Sequence, residues 1–322
     1  MMNNLNAVSP RIRAADLRKA YGTLQALDAL SLTVYEGEAY GLVGPDGAGK
    51  STALRLLAGV LAPDGGEISL MGHDLRQNPV QARAQLGYLS QQFSLYGDLT
   101  VAENLQFFGE VRDMSPQRRA ERADQLLNFV GLTGVEDRLA GRLSGGMKQK
   151  LSLACALIHE PPILLLDEPT GGVDPVARQD FWQLIIRLLS EGLAVVVSTP
   201  YMDEAVRCQR VGFLYQGRLL TEGTPQQLIA QFNGSVLELT ATPLKRARQV
   251  VMTLPGVVDA LTFGESLHLF VHDVEETMKQ LPPVLAEAGI VLSSLRPIPP
   301  TLEDLFISLL DRHNVMSSEV RP

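Results

Sequence analysis

AYGLVGPDGAGKSTALRLLAG, residues 39–59, joins three kinds of sequence without a break. Residues 39–43 are an apolar run of strand length, GPDGAGK is a glycine loop, and STALRLLAG repeats apolar residues at helical spacing, with Gly59 placed to cap its C-terminus. The loop and the serine after it, Gly44-Pro45-Asp46-Gly47-Ala48-Gly49-Lys50-Ser51, fit GxxxxGK[ST]. Its glycines let backbone N–H groups converge on phosphate oxygens, and the helix beginning at Lys50 adds the positive end of its dipole. Lys50 is then placed to reach the β- and γ-phosphates, and Ser51 to ligate Mg²⁺. A chance glycine turn is the plain alternative, and a match lying between an apolar strand and a helix weighs against it.

On the N-terminal side, residues 11–38 give short β-like runs, LRKAYG and LSLTVYEGE, divided by polar turns, which predict an antiparallel β layer. On the C-terminal side, residues 100–160 read as mostly helical. Thr100 and Glu103 have the spacing of a capping box, and Ser115-Pro116 that of an N-cap and first helical residue. Residues 163–166 and 193–198 follow as buried-strand candidates, joined by a helix over 175–189 in a crossover long enough for a parallel pair. The expected fold class is α/β, with a mixed sheet, an antiparallel β layer and a helical subdomain.

A boundary is expected at Phe232-Asn233-Gly234-Ser235, because the segment beyond it has its own complete pattern. A strand over 236–240, a helix over 244–254, a hairpin over 257–271 turning at Gly264-Glu265-Ser266, a helical stretch over 274–288 and a strand at Val291 spell βαββαβ, the order of a small α+β ferredoxin-like domain. Pro282-Pro283 are expected to break or restart the second helix. Residues 301–311 look like a closing amphipathic helix, and residues beyond Arg312 like a loose tail. The expected organisation is an N-terminal tail over 1–10, a nucleotide-binding domain over 11–232, a small domain over 235–312 and a flexible tail over 313–322.

Two further motifs extend the chemistry. The apolar run 163–166 ends in Asp167-Glu168. At the C-terminal edge of a strand beside a phosphate loop, the first carboxylate can hold Mg²⁺ and the second can polarise a water for in-line attack on the γ-phosphate. A solvated acidic turn is the plainer account. LSGGMKQK, residues 143–150, leads into a long helix; Ser144 is placed as its N-cap, and Gly145 and Gly146 leave backbone N–H groups bare for an anion. A second phosphate-seeking helix end on one chain suggests service to another molecule's nucleotide.

The 322 residues are 45% hydrophobic and 20% charged, which excludes disorder, collagen-like repeats and a coiled-coil rod. The longest apolar runs are far short of the ~20 residues that span a bilayer. The opening MMNNLNAVSPRIRAAD lacks the basic flank and apolar core of a secretory signal, so a cytoplasmic location is expected. Cys155 and Cys208 have no metal-ligand spacing and read as buried, reduced thiols. A formal charge of -8 disfavours nucleic acid as a partner but not a locally bound nucleotide.

GPDGAGKST, LSGGMKQK and ILLLDEPT, in this order and spacing, resemble the ATP-binding cassette of ABC transporters across about residues 11–232. The resemblance implies ATP and Mg²⁺ as ligands. It assigns ATP contacts to the phosphate loop together with Thr52 and Asp167, to Tyr21 in KAYG as the aromatic stacked on adenine, and to Gln91 in GYLSQQ as the Q-loop glutamine. It implies Ser51, Gln91 and Asp167 around Mg²⁺, Glu168 as the catalytic residue and Asp174 in GGVDP at a dimer seam. Taken singly, Tyr21 is also a strand aromatic, Gln91 a polar loop residue and Asp174 an N-cap. In this family two cassettes pack head to tail, so ATP lies between the phosphate loop of one and the LSGG of the other, and Ser144, Gly145 and Gly146 would act on the partner's ATP. QFSLYGDLTVAENL and PTLEDLFISLL resemble the drug-exporter branch, whose transmembrane permease subunits are separate chains. GPDGAGK, LSGGMKQK and the shortened switch motif are similar to the N-terminal cassette of YbhF-type tandem proteins. A peripheral position at the inner face of the cell membrane follows from that likeness.

The sequence departs from the family twice. Pro200 stands in STPYMDE where the family usually has a histidine contacting the γ-phosphate, and proline offers neither an imidazole nor a backbone N–H. Asp46 stands where asparagine is common and adds a carboxylate near the phosphates. A degenerate site of its own with an intact LSGG favours a heterodimer over a homodimer. A non-hydrolytic regulatory cassette is the competing expectation: Pro200 supports it and Glu168 opposes it. A soluble cassette acting on nucleic acid or the ribosome is expected to show a second cassette or a long basic arm. His268 and His272 alternate like strand residues and not like a helical metal pair. His159 is expected as a cation at a helix end, and Arg118, Arg119 and Arg122 as a solvated face.

Overall fold

The computed structural model describes residues 9–91, 95–232 and 234–319, without the side chains of residues 311–319. Most of the expected N-terminal tail, Gln92, Phe93 and Ser94 of QFSLYG, and Asn233 at the expected boundary lie outside the described residues. β1 (Ile12–Tyr21) and β2 (Leu24–Val34) pair antiparallel and turn Ile12, Ala14 and Leu17 to the same interior as Leu27, Leu30, Leu32 and Val34. A bulge between Ala14 and Leu17, with Asp16 at φ 51, resets the alternation so that Leu17 points inward again. β3 (Ala39–Val43) and α1 (Lys50–Leu57) leave this layer, and β4 (Gly65–Leu70) and β5 (His73–Asp74) return to it in the order β2-β1-β4-β5.

α2 (Pro79–Ala84) leads into β6 (Leu86–Leu89), the edge of a second, six-stranded sheet. The helical insertion is α3 (Val101–Val111), α4 (Pro116–Val130) and α5 (Gly145–Leu157). Thr100 accepts the N–H of Glu103 at 3.1 Å while Glu103 accepts the N–H of Thr100 at 2.7 Å, a reciprocal cap; Ser115 and Ser144 cap the next two helices. β7 (Ile163–Asp167), α6 (Pro175–Ser190), β8 (Ala194–Thr199), the short α7 (Met202–Ala205), β9 (Arg210–Tyr215) and β10 (Arg218–Gly223) complete the sheet. Its order is β10-β9-β3-β8-β7-β6, parallel from β9 to β6, with β10 antiparallel at the edge. β3, β7 and β8 are buried along their whole length, as strands covered on both faces must be. Because these three run the same way, the phosphate loop, Asp167-Glu168 and Thr199-Pro200 emerge at one edge of the sheet.

The chain divides into two compact units, Met1–Pro225 and Gln226–Pro322, upstream of the expected boundary, and α8 (Pro225–Ile229) straddles the division. In the second unit β11 (Ser235–Thr242), α9 (Leu244–Val251), β12 (Val257–Phe263), β13 (Ser266–Val271), α10 (Val274–Glu287) and β14 (Val291–Ile298) follow the βαββαβ order. The sheet runs β12-β13-β11-β14 with every pair antiparallel, around a core that includes Leu237, Leu239, Leu267, Leu269, Leu281 and Leu285.

Three expectations are corrected here. Pro282 and Pro283 do not break α10, which is continuous through both. They stand on its exposed side, while Thr277, Leu281 and Leu285 bury the opposite stripe and hold the backbone helical despite two missing N–H groups. The hairpin turns on Gly264-Glu265 alone, with Gly264 at φ 56, and Ser266 already belongs to β13. The closing helix α11 (Leu302–Glu319) runs past Arg312, through residues expected as a loose tail. Among the described residues no helix is long and apolar enough to cross a membrane.

Candidate functional site

The phosphate loop is set by two close approaches that exclude a side chain. A Cβ on Gly44 would lie 2.2 Å from the carbonyl oxygen of Leu214, and one on Gly49, at φ 109, would lie 2.4 Å from that of Ala26. The loop is thereby pressed between β2 and β9. Ala48 donates its N–H to the carbonyl of Pro45 at 3.1 Å and accepts the N–H of Gly217 at 2.9 Å, which ties the loop's tip to the β9–β10 turn. Lys50, only 4% exposed, donates to the carbonyls of Gly44 at 2.8 Å and Pro45 at 3.1 Å, and its ammonium lies 3.3 Å from Glu168 Oε1. Asp46 is 95% exposed, and its carboxylate approaches Lys50 only to 4.0 Å, pointing away from the loop's interior.

The two carboxylates at the end of β7 are held differently. Asp167 is fully buried; its Oδ1 accepts from Ser51 Oγ at 3.0 Å and Ser198 Oγ at 2.6 Å. The Tyr88 hydroxyl reaches Oδ2 at a long 3.5 Å, and burial, reinforced by the Asp167 charge, pushes that phenol up to about 12. Glu168 stays accessible. Its Oε1 meets Lys50, its Oε2 accepts from Gln91 Nε2 at 2.9 Å, and its own N–H is donated to Ser198 O at 3.1 Å and Ser198 Oγ at 3.0 Å. Lys50, Ser51, Gln91, Asp167 and Glu168 therefore form one connected cluster. Ser198 and Tyr88 belong to it but do not stand out in the sequence; the signal for Ser198 is a polar residue closing an otherwise apolar strand.

The other residues singled out in the sequence stand outside these contacts. Thr52 lies on α1 one residue past Ser51, and Tyr21 at the end of β1 is 45% exposed, with Lys19 Nζ 6.0 Å from its ring centroid. Ser144 caps α5 by accepting from Met147, and a Cβ on Gly146 would meet that of Ala177 at 2.7 Å, so the bare turn of α5 abuts the first turn of α6. That turn is capped by Asp174, which accepts from Val176 at 3.1 Å and Ala177 at 3.0 Å. Gly146 thus lies against the first turn of α6, the turn that Asp174 caps. Pro200 follows β8 directly and brings no polar side-chain atom to the cluster.

The remaining histidines, arginines and cysteines also have definite places. His159 is not a cation at a helix end: burial and the neighbouring Arg112 push it down to about 4, and its Nε2 donates to the carbonyl of Leu86 at 3.1 Å. Arg118, Arg119 and Arg122 are not a free solvated face, because Arg118 and Arg122 pair with Glu160 and Arg119 with Glu110. His268 is buried on β13 and pairs through Nδ1 with Asp304 at 3.0 Å. Cys155 and Cys208 are buried free thiols, both pushed upward by burial.

A family model described as ABC transporter matches residues 27–171. Over 288 residues the chain is 40% identical to the probable multidrug ABC transporter ATP-binding protein YbhF of Escherichia coli (strain K12), covering 88% of this chain and 49% of that protein. It therefore spans about half the length of that relative. It is 38% identical over 303 residues to the Nod factor export ATP-binding protein I of Rhizobium sp. (strain N33), covering 94% of this chain and 97% of the relative. The dimeric structure of MJ0796, a bacterial ABC transporter cassette, is similar with a TM-score of 0.62 at 30% identity, over 66% of this chain and 98% of that one.

Proposed function

Because the chain belongs to the ABC transporter family as an ATP-binding subunit, we propose that it binds ATP with Mg²⁺ at a cassette dimer interface and drives separate transmembrane permease subunits of an exporter. The observation that carries this is the cluster at one edge of the central sheet, where Lys50, Ser51 and Gln91 converge on Asp167 and Glu168. Backbone N–H groups of the loop and of the first turn of α1 receive the phosphates, and Lys50 exchanges its loop carbonyls and Glu168 for phosphate oxygens. Glu168, released from Lys50, accepts a proton from the attacking water. Tyr21 stacks on the adenine.

The donor set suits Mg²⁺. The Ser51 hydroxyl already touches the Asp167 carboxylate, and Gln91 uses its Nε2 on Glu168 and keeps its amide oxygen for a metal, so all three are hard oxygen ligands. Mg²⁺ held there would neutralise charge on the β- and γ-phosphate oxygens. Ser144, Gly145 and Gly146 serve the ATP of the partner cassette, and Asp174 stands at the seam. MJ0796 was solved as a dimer, which supports pairing of this kind. In the stretch Gln91 to Asp98, Tyr96 is half-exposed with its ring 4.7 Å from that of Phe107, a surface suited to passing closure to a membrane subunit. The chain would then sit at the inner face of the membrane. The cargo, by likeness to multidrug exporters, is a hydrophobic drug or cation chosen by residues on other polypeptides, and nucleic acid is not a partner.

Pro200 makes this chain's own site slow, and its intact LSGG completes a competent site on a different cassette, so a heterodimer is favoured. A non-hydrolytic regulatory cassette is the second reading, on the same residue. The test is ATP turnover by the purified chain beside Pro200→His, once both are shown to bind ATP·Mg²⁺. The expected result is slow native turnover raised by roughly 10²-fold in the histidine variant, the size of one positioned hydrogen-bonding group. Brisk native turnover lost in Glu168→Gln would overturn the degenerate site and favour a homodimer. No turnover in either variant would favour the regulatory reading.

A further inference from the structure

Glu204 lies on α7, just past Pro200, and is 1% exposed. Its carboxylate gathers two turns. Thr170 Oγ1, fully inside the turn that follows Glu168, donates to Oε1, and Thr199 Oγ1, immediately before Pro200, donates to Oε2 at 2.8 Å. The Thr199 hydroxyl in turn accepts the N–H of Tyr201 at 3.0 Å, which closes the backbone around Pro200. A third element joins from α6: Arg178 Nε lies 3.6 Å from Glu204 Oε1, its Nη1 lies 3.6 Å from Asp203 Oδ2, and its guanidinium covers the Tyr201 ring at 4.7 Å.

Glu168 needs such a restraint. It holds φ 48, in the left-handed region that non-glycine residues rarely adopt, and such backbone persists only where its surroundings over-determine it. Ser198 takes its N–H on one side, and its carbonyl accepts the N–H of Gly171 at 3.1 Å on the other. Thr170 sits between those two bonds and is the point at which the turn is tied to Glu204. Burying a carboxylate for this purpose is costly compared with an apolar residue of similar size, so its presence beside the Glu168 and Pro200 turns points to position and not to stability.

We propose that Glu204 is a positioning residue, which clamps the Glu168 turn to the Pro200 turn and so holds the Glu168 backbone in its left-handed conformation. The proposal rests on Glu168 being the group that acts on water. It assigns Glu204 no contact with ATP.

The test compares Glu204→Gln, Thr170→Val, their double variant and Thr170→Ser in the full chain, by hydrogen exchange over residues 167–173 and by kcat and KM for ATP. The expected result is faster exchange in that segment alone for the first three. Their kcat should fall ~10-fold, which is about 1.4 kcal/mol, with KM moved by less than about twofold. Thr170→Ser, which keeps the hydroxyl, should restore both readouts, and the double variant should be no worse than the worse single one, as expected for two halves of one contact. Unchanged exchange, unchanged kcat in a chain that turns over, or additive losses would each overturn the clamp. A native chain without turnover would count against Glu168 hydrolysis, and exchange would then decide the clamp by itself. If Glu204→Gln does not fold, Thr170→Val against Thr170→Ser carries the same decision.

Discussion

Asp167 and Glu168 are neighbours in sequence with opposite environments: one is sealed and bound by two serine hydroxyls, the other is open and held between a cation and an amide. At the loop opposite them, space is the constraint. Gly44→Ala would place a methyl 2.2 Å from a backbone oxygen that cannot move without dragging β9, so loss of ATP·Mg²⁺ binding is expected in a chain that still folds, read by titration calorimetry. A methyl that left affinity unchanged would show that the loop gives way. His159 yields a pH prediction. Its folded value lies at about 4, below the ordinary 6.5, so the unfolded chain takes up a proton first as pH falls. Its contribution is complete above pH 6.5 and is lost as pH drops toward 4, amounting to roughly 3 kcal/mol. His159→Phe should flatten that part of the urea-midpoint profile between pH 7 and pH 4, and an unchanged slope would move the acid sensitivity elsewhere.

Among the elements, the caps were legible because they depend on neighbours within three residues: Thr100 with Glu103, Ser115 with Pro116, and Ser144 before its glycines all do locally what their spacing predicts. Thr100→Ala should cost about 1 kcal/mol, measured by denaturant unfolding, because one N–H at the start of α3 loses its acceptor. The prolines of α10 were misleading for the complementary reason. Local chemistry forbids helix there, and the burial of Leu281 and Leu285 against the β12-β13-β11-β14 sheet outweighs it. Leu281→Ala should therefore cost about 2–5 kcal/mol, more than a leucine in an unbroken helix would suggest.

For the whole molecule, each unit has its own apolar core, and the phosphate loop belongs wholly to the first. Calorimetry should show two transitions. ATP·Mg²⁺ at a hundred times its dissociation constant should stabilise one of them by about 2.7 kcal/mol, and Leu281→Ala should lower the other. A single transition moved by both would mean that the units unfold together. The glycine loop, the carboxylate pair, the LSGG turn and the βαββαβ order could all be read in the chain, because each is written in consecutive or evenly spaced residues that fix local backbone and chemistry. The partners of Glu168 could not. Lys50, Gln91 and Ser198 come from three distant segments, and the buried grip of Glu204 on Thr170 and Thr199 exists only because parallel strands deliver β7 and β8 side by side. Which polar groups meet, and which carboxylate is sealed while its neighbour stays open, depends on strand order and burial, and neither is encoded at any single position.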